Sequence, residues 1–348
     1  MIDLEPSSRG MVHMAKTVRF HEYGDPEVLV VEDLPVGEPG PGEVLVRIEA
    51  IGLNRAEALY RRGHYIERPR AFPARIGAEA AGVIESVGPD VTGLEAGQAV
   101  SVIPSFSMND YAVYAERAVV PAFAVLARPE GLDAVTGAAV WMPYLTAYGA
   151  LAQVGGMRPG DAVVITAASS SVGLAAIQIA NRMGAVPIAT TRTGAKADAL
   201  REAGAAEVIA TDEEPLADRV LDLTGGKGAR FAFDAVAGPG VTDLARAVAS
   251  DGTLFLYGAL SGQPTPYPGF DLGMPALNMR TFLVHETTRS RRRLREAEAF
   301  VVSGLRSGAF APRIDRTFAL DDIAEAHRYL ERGDQIGKIV ATVPEPRA

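Results

Sequence analysis

The N-terminal part of the chain is a series of short apolar runs separated by glycine and proline. Turn-forming sequences such as PGPGE at residues 39–43 lie between these runs. The pattern predicts a β-rich barrel or sandwich. The predicted strands cover residues 16–20, 28–32, 43–51, 82–87 and 99–103.

From about residue 138 onward, apolar strands alternate with helical patterns. The run AVVITAA at 162–168 predicts a buried strand, and residues 172–183 follow with apolar positions at helical spacing. Repeated strand–helix units of this kind predict a doubly wound parallel sheet. The further predicted strands are 186–191, 207–210, 229–236, 253–257 and 281–285, with helices at 196–203, from 215 to the Gly225-Gly226 pair, and at 241–249. Residues 314–343 return to strand–helix–strand and are expected to rejoin the first domain.

Composition narrows the class of protein. The chain has 348 residues, 48% apolar and 22% charged, enough for about two domains with ordinary cores. The absence of cysteine excludes disulfides, thiolate zinc sites, iron–sulfur clusters and a thiol nucleophile. A formal net charge of −9 argues against nucleic acid as a partner, because an acidic chain gains no counterion-release energy from phosphate backbones. The basic run at 289–295 is interpreted as the solvated first turn of a helix.

The N-terminus and the hydropathy pattern bear on location. No apolar run approaches the roughly 20 residues that a membrane-spanning helix needs, and the acidic start MIDLEPSSRG is unlike a signal peptide. Residues 1–13 are expected to be a disordered extension. The sequence therefore predicts a soluble, cytoplasmic protein.

The strongest local motif lies between the first strand and the first helix of the parallel sheet. It reads AASSSVG at residues 167–173, where dinucleotide-binding folds direct backbone N–H groups and the helix dipole toward a pyrophosphate. Ser170 replaces the middle glycine of the usual pattern; its Cβ crowds a phosphate, whereas its hydroxyl can donate to one. A serine-rich turn can also be a simple helix N-cap, but the repeated strand–helix context favours nucleotide binding.

The end of the second parallel strand distinguishes between cofactors. NAD-binding chains place an acidic residue here to accept from the ribose 2′-hydroxyl, whereas this chain has Thr190-Thr191-Arg192-Thr193-Gly194-Ala195-Lys196. Arg192 and Lys196 would attract a 2′-phosphate. The alternative is that they are two solvated surface cations. The sequence favours NADPH over NADH.

Four motifs occur in order along the chain: GAEAAGV at 77–83, PYLTAY at 143–148, AASSSVG at 167–173 and GKIV at 337–340. Together they resemble the G-x-E-x-x-G-x-V element, the P-x-x-T-A-Y stretch, the phosphate loop and the closing strand of the medium-chain dehydrogenase/reductase superfamily. The resemblance is specifically to its zinc-independent quinone oxidoreductase (zeta-crystallin-like) branch, and it covers residues 16–343.

The resemblance implies an α/β fold in which a Rossmann doubly wound parallel sheet is inserted into a GroES-like, β-rich catalytic domain. The implied bounds are 14–137 and 307–348 for the catalytic domain and 138–306 for the nucleotide domain. In this family the edges of the parallel sheet pair across a two-fold axis. We therefore expect a homodimer, formed through the strands predicted at 253–257 and 281–285.

Two positions differ from the zinc alcohol dehydrogenases of the same superfamily. Asn54 stands in the segment that carries their cysteine ligand, and Ala78 replaces the histidine of their G-H-E motif. His64 and Glu79 are too few to build a tetrahedral site, and Glu79 is expected to make a buried structural interaction. The resemblance therefore implies no metal.

Without a Lewis acid, a conjugated acceptor is the better hydride acceptor, because charge spreads onto the distant oxygen. Quinones and α,β-unsaturated carbonyls are such acceptors. The resemblance makes Asn54 an active-site residue. It also matches Tyr65 to the proton donor of zinc-free enoyl thioester reductases, although Tyr65 is alternatively a tyrosine at the cleft rim. Leu59 stands where several quinone reductases have a nicotinamide-contacting tyrosine, which weakens the case for quinone specificity.

The resemblance also implies a set of cofactor contacts, some of which have been named above. They are Asn54, Thr146, Ser170, Ser171, Val172, Thr191, Arg192 and Lys196, the strand-end turns Ala235-Val236 and Gly258-Ala259, and Val284 and His285. The last two are expected to line the nicotinamide pocket.

The leading hypothesis is an NADPH-dependent, zinc-independent reductase that transfers hydride to a quinone or an α,β-unsaturated carbonyl. One alternative is a 2-enoyl thioester reductase. Another is an NADPH-binding sensor or structural protein with little turnover. A methyltransferase is disfavoured because its second strand usually ends in an acidic residue, and this one ends in cations.

Overall fold

The computed structural model describes residues 14–274 and 276–344. The extension predicted at residues 1–13 lies outside the described residues. Within the described ranges, no helix has the length and apolar character of a bilayer-spanning segment.

The N-terminal part of the chain is dominated by strands, as the short apolar runs predict. Its elements are strands β1 (Met14–Phe20), β2 (Val30–Pro35) and β3 (Glu43–Gly52), helix α1 (Arg55–Arg61), and strands β4 (Ala74–Arg75), β5 (Ala80–Val87), β6 (Ala99–Val102), β7 (Arg117–Pro121) and β8 (Val125–Ala127). In β3, Val44, Val46, Ile48 and Ala50 are buried on one face while the residues between them are half-buried, the two-residue period of a strand with one face on the core.

The middle of the chain alternates strands with helices. Helix α2 (Ala134–Tyr148) continues into a π-helical turn at Gly149–Val154. The elements that follow are β9 (Ala162–Ile165), α3 (Ser171–Arg182), β10 (Val186–Thr191), α4 (Ala197–Glu202), β11 (Glu207–Ala210), α5 (Leu216–Leu223), β12 (Ala229–Asp234), α6 (Val241–Ala247), β13 (Val248–Leu256) and β14 (Asn278–Thr281).

The last part of the chain leads back to the first. It contains α7 (His285–Thr288), α8 (Arg291–Arg306), β15 (Ile314–Ala319), α9 (Ile323–Arg332) and β16 (Lys338–Thr342). Strand β16 pairs antiparallel with β3, with Val340 opposite Gly52. The chain end therefore completes the sheet that its beginning started.

The described residues form three sheets. The six-stranded sheet is parallel, in the order β11-β10-β9-β12-β13-β14, the order of a dinucleotide-binding fold. The seven-stranded sheet runs β15-β16-β3-β5-β6-β8, with β7 also paired to β3, and β2-β1-β4 form a small third sheet. The predicted fold class, a Rossmann sheet combined with a GroES-like β-rich domain, is confirmed.

Helix α2 links the two large sheets. It is almost entirely buried, and Ala138 and Ala139 pack against Ala50, Ala81 and Val340 of the seven-stranded sheet. Small side chains allow this close approach. The boundary predicted between residues 137 and 138 falls inside α2, and the domain bounds stay a prediction.

The sixth parallel strand lies earlier than predicted. The sequence predicts it at 281–285, but β14 ends at Thr281, and Phe282 makes one last ladder bond from its N–H to Leu256 O (2.8 Å). The chain then turns helical, with Glu286 N–H donating to Leu283 O (2.8 Å). The prediction of a strand at 281–285 is wrong because the apolar side chains of these residues are buried by packing against parts of the protein other than the sheet. The segment predicted as an edge at 253–257 is also not one, since β13 is flanked by β12 and β14.

Candidate active site

A cleft of about 460 Å³ lies between the six-stranded parallel sheet and the seven-stranded sheet. It brings together residues from the N-terminal part, the nucleotide fold and the returning segment. The sequence-predicted residues that line it are Asn54, Tyr65, Thr146, Ser170, Ser171, Val172, Ala235, Gly258, Ala259, Val284 and His285. Thr191, Arg192, Lys196 and Val236 do not line the cleft itself.

The loop before α3 is held from two sides. Ser170 caps the helix, since its Oγ accepts from Gly173 N–H at 3.1 Å. Gly337 N–H of the returning segment donates to Ser169 O at 2.9 Å. The helix N-cap predicted as the alternative to a nucleotide-binding loop is therefore present, and it lies in the wall of the cleft.

Gly173 is required by packing. A Cβ at this position would lie 2.6 Å from the Cα and O atoms of Ala168, so the helix could not approach the end of β9. Ala167 has a positive φ of 46°, a conformation that costs free energy for a residue with a Cβ. The strand predicted to reach Ala168 ends at Ile165 because the backbone makes this turn.

Lys196 lies at the edge of the cleft, against residues that do line it. Its ammonium donates to Gly333 O (3.0 Å), Gln335 O (3.1 Å) and Ser169 Oγ (3.3 Å). Burial lowers its pKa, and Asp334 partly opposes this shift. Arg192 is exposed at the end of β10, and its charge also lowers the pKa of Lys196. The two cations are therefore near each other and near the loop.

The end of β12 is shaped by a buried carboxylate. Asp234 accepts from Thr166 Oγ1 (2.5 Å), Val236 N–H (3.0 Å) and Ala237 N–H (2.7 Å). These bonds hold the turn that brings Ala235 to the cleft wall.

Asn54 belongs to a buried network of charged side chains. Lys338 Nζ donates to Asn54 Oδ1 and to Glu79 Oε2, both at 2.6 Å. Asn54 Nδ2 donates to Gly52 O (3.1 Å) and more weakly to Glu79 Oε2 (3.4 Å). Glu57 accepts from Asn54 N–H at 3.0 Å and closes a capping box at the start of α1.

The network contains two carboxyl groups and one ammonium group. Glu57 and Glu79 are fully buried and Lys338 is 1% exposed, so two carboxyl groups share one ammonium. Burial raises the pKa of Glu57 from 4.5 to about 7, although the Lys338 charge and the hydrogen bonds to the carboxyl group oppose the shift. The expected buried interaction of Glu79 is this ion pair.

Two titratable side chains of the cleft lining, Tyr65 and His285, have strongly shifted pKa values. Burial raises the pKa of Tyr65, and the Glu57 and Glu67 carboxylates add to the shift. Burial and the Arg289 guanidinium lower the pKa of His285 to about 4. At neutral pH, Tyr65 is therefore a protonated hydroxyl and His285 a neutral imidazole.

A zinc ion does not fit this site. Asn54 is held by Lys338, Ala78 has no ligand atom, and the ammonium 2.6 Å from Glu79 would repel a cation. Within residues 14–274 and 276–344, no three histidine, aspartate or glutamate side chains form a metal-binding group.

Sequence reasoning missed several residues of the site. Glu57, Lys338 and Asp234 act through buried contacts, and Gly337 joins the returning segment to the loop. The GKIV motif was the available signal for Gly337 and Lys338, but it did not show that Lys338 reaches Asn54. Further lining residues not predicted include Glu67, Phe106, Met108, Phe282 and Arg289.

Comparison with known proteins agrees with this geometry. The alcohol dehydrogenase GroES-like domain matches residues 40–130, and the zinc-binding dehydrogenase family matches residues 171–303. The chain is 34% identical to a quinone oxidoreductase of Pseudomonas aeruginosa over 331 residues, covering 94% of this chain and 99% of the relative. It is 30% identical to a 2-haloacrylate reductase of a Burkholderia species over 335 residues, covering 94% and 98%.

A solved structure of Escherichia coli quinone oxidoreductase complexed with NADPH superposes with a TM-score of 0.88. It is 28% identical and covers 94% of this chain and all of that one. A GroES-like domain joined to a Rossmann domain, with a cleft between them, defines a medium-chain dehydrogenase/reductase. Within that superfamily the chain belongs to the quinone oxidoreductase family, as the sequence motifs predicted.

Proposed function

We propose that this protein is an NADPH-dependent, zinc-independent reductase of quinones and α,β-unsaturated carbonyls. The observation that carries the proposal is the shared cleft. It places the loop before α3, the strand-end turns of the parallel sheet, Asn54 and Tyr65 around one volume of about 460 Å³. The NADPH complex of the E. coli relative supports the choice of cofactor.

The loop and the nearby cations suit a phosphorylated dinucleotide. The N-terminus of α3 offers backbone N–H groups to a pyrophosphate, and the Ser170 hydroxyl can donate to the same oxygens while its Oγ accepts from Gly173. Lys196 and Arg192 supply positive charge for a 2′-phosphate. Burial has already removed part of the Lys196 hydration, so pairing with a phosphate costs this ammonium less.

The acceptor end suits a conjugated carbonyl. When bound, NADPH supplies the hydride. The apolar wall formed by Leu59, Phe106 and Met108 excludes water from the acceptor, and Tyr65 stays protonated and can donate a proton. His285, by contrast, is a neutral imidazole at neutral pH, because its pKa is lowered to about 4.

Turnover tests the proposal directly. The purified chain is mixed with NADPH and a panel of quinones, enals, enones and enoyl thioesters, and loss of NADPH absorbance is followed. Oxidation with quinones or enones supports the proposal. Oxidation with thioesters alone would favour the enoyl thioester reductase. Binding without any oxidation would favour a sensor or structural protein.

The cofactor preference has its own measurement. NADPH is expected to raise the melting temperature more than NADH does at equal concentration, because the 2′-phosphate adds contacts to Lys196 and Arg192. Equal shifts would overturn the preference.

The expected homodimer is also a proposal. Strand β14 is one of the two edge strands of the parallel sheet, and Asn278, Arg280 and Thr281 are exposed on it. An edge of this kind can pair with a second copy. Light scattering should give twice the chain mass of 36.7 kDa, and the mass of a single chain would overturn the proposal.

We further propose that the protein acts in the cytoplasm. The proposed use of NADPH and the polar, acidic N-terminus, which is unlike a signal peptide, support this location. Cell fractionation tests it, and recovery outside the cytoplasmic fraction would contradict it.

A further inference from the structure

Three charged side chains are buried beside the cleft, and the proposed proton donation from Tyr65 uses none of them. Glu57 and Glu79 have no exposed surface, and Lys338 is almost fully buried although it lies in the cleft wall. Removing such groups from water is costly unless they are paired. Their position next to Asn54 suggests a role beyond stability.

Lys338 determines which way the Asn54 amide faces. An ammonium group has only donors, so the Asn54 atom 2.6 Å from Lys338 Nζ must be the carbonyl oxygen. Rotating the amide by half a turn would place its NH₂ group against the ammonium, so that two hydrogen-bond donors would face each other. Glu79 reinforces the orientation, because its Oε2 accepts from Lys338 and lies 3.4 Å from Asn54 Nδ2.

Glu79 is itself held in place. Its second oxygen, Oε1, accepts from Met142 N–H at 2.7 Å, which ties the ion pair to helix α2. The network therefore connects Asn54, the returning strand β16 and the helix that joins the two domains.

We propose that Lys338 is a positioning residue for the reaction, because it fixes the Asn54 amide with the second lone pair of Oδ1 available to a ligand in the cleft. This inference rests on the proposed reductase function. A carbonyl oxygen has two lone pairs and Lys338 uses one. The ligand groups that fit the other are hydroxyl and amide donors, such as those of a nicotinamide riboside.

A purely structural ion pair would behave differently. Removing Lys338 alone leaves the Glu79 carboxylate buried without its positively charged partner, which destabilises the protein under either interpretation. Replacing both partners by uncharged groups of similar size restores much of the stability. Under the positioning role, however, the uncharged pair no longer fixes the Asn54 amide, so the rate should stay low.

The first experiment compares Lys338→Met, the double variant Glu79→Gln/Lys338→Met and the wild type. The expected result is that the double variant regains most of the melting temperature lost in the single variant while kcat stays at least tenfold below wild type. Recovery of kcat together with stability would overturn the inference. The exposed Lys227→Met is the matched control and should change neither quantity.

A second experiment keeps the charge and so protects the fold. Lys338→Arg, Asn54→Ala and their combination form a double-mutant cycle on kcat and KM. If Lys338 acts through Asn54, Lys338→Arg lowers kcat in the wild type but has little further effect in Asn54→Ala. Additive effects would overturn the inference.

The two proposals fail in different ways. A wild type that oxidises NADPH with none of the acceptors would overturn the proposed function and this inference with it. A wild type that turns over normally, with kcat restored in the uncharged double variant, would overturn this inference alone.

Discussion

Glu57→Gln is predicted to remove one pH-dependent contribution to stability. Burial raises the pKa of Glu57 to about 7 in the folded protein, whereas an unfolded chain should titrate near 4.5. The folded state therefore binds a proton more tightly, and the stabilising contribution is complete below about pH 4.5. It is lost as pH rises from about 4.5 to about 7, because the ionised carboxylate is then buried beside Glu79.

The magnitude follows from the shift. Each pKa unit corresponds to about 1.4 kcal/mol, so the free energy of unfolding should lose roughly 2 to 3 kcal/mol from this group between about pH 5 and pH 8. Glutamine cannot titrate. The stability difference between wild type and Glu57→Gln should change by that amount, with the wild type relatively more stable at pH 5.

The difference must be followed across pH rather than at one value. A glutamine side chain can offer only one acceptor oxygen where Glu57 serves both Asn54 N–H and Ala78 N–H, which costs about 1 to 3 kcal/mol at every pH. Urea unfolding at several pH values separates this constant cost from the titration, and the exposed Glu95→Gln provides the control. A constant difference, or a wild type relatively more stable at pH 8, would refute the reasoning.

Three other substitutions probe separate parts of the site. Lys196→Ala should raise KM for NADPH at least tenfold and leave KM for NADH nearly unchanged, since only NADPH carries the 2′-phosphate. Gly173→Ala should lower the free energy of unfolding by roughly 1 to 3 kcal/mol in urea titrations, because its Cβ would overlap the Ala168 backbone at 2.6 Å. Tyr65→Phe should slow turnover of enoyl thioesters at least tenfold while nearly preserving quinone turnover, if the hydroxyl donates the proton.

Each of these has a matched control in the chain. For Lys196→Ala the control is Lys227→Ala, at an exposed lysine, which should leave both KM values unchanged. For Gly173→Ala it is Ser171→Ala, which should leave the free energy of unfolding nearly unchanged. For Tyr65→Phe it is Tyr267→Phe, at a tyrosine far more exposed than Tyr65, which should leave turnover unchanged. Equal loss of NADPH and NADH binding in Lys196→Ala would contradict the role of Lys196 in binding the 2′-phosphate. Equal slowing of enoyl thioester and quinone turnover in Tyr65→Phe would contradict proton donation by Tyr65.

The parallel sheet could be predicted because its signals are local. The apolar run of β9, the loop after it and the glycine at 173 lie within about a dozen residues, and their order favours a nucleotide-binding strand–loop–helix unit. The sixth strand was placed wrongly because Phe282 and Val284 look like strand residues, yet their burial comes from packing outside the sheet. Periodicity reports that a side chain is buried but not which neighbours bury it.

The charged network could not be predicted from the sequence. Lys338 and Glu79 are 259 positions apart, and they meet only because β16 adds to β3 at the end of the chain. Each residue lay in a recognised motif. The pairing of a buried cation with two buried carboxyl groups is a property of the tertiary fold.

The network also explains why the substitutions at positions 54 and 78 are compatible with the fold. In zinc enzymes of the superfamily these segments carry metal ligands, so the metal ties them together. Here Asn54 bonds to Lys338 through its side chain, and both Asn54 N–H and Ala78 N–H donate to Glu57. Gly52 permits the contact, because a Cβ there would lie 2.8 Å from Glu79 Oε2 and 2.9 Å from Lys338 Cε. Side chains of the protein thus join the two segments that a metal joins in the zinc enzymes. The buried positive charge in this part of the cleft wall is the Lys338 ammonium instead of a metal ion.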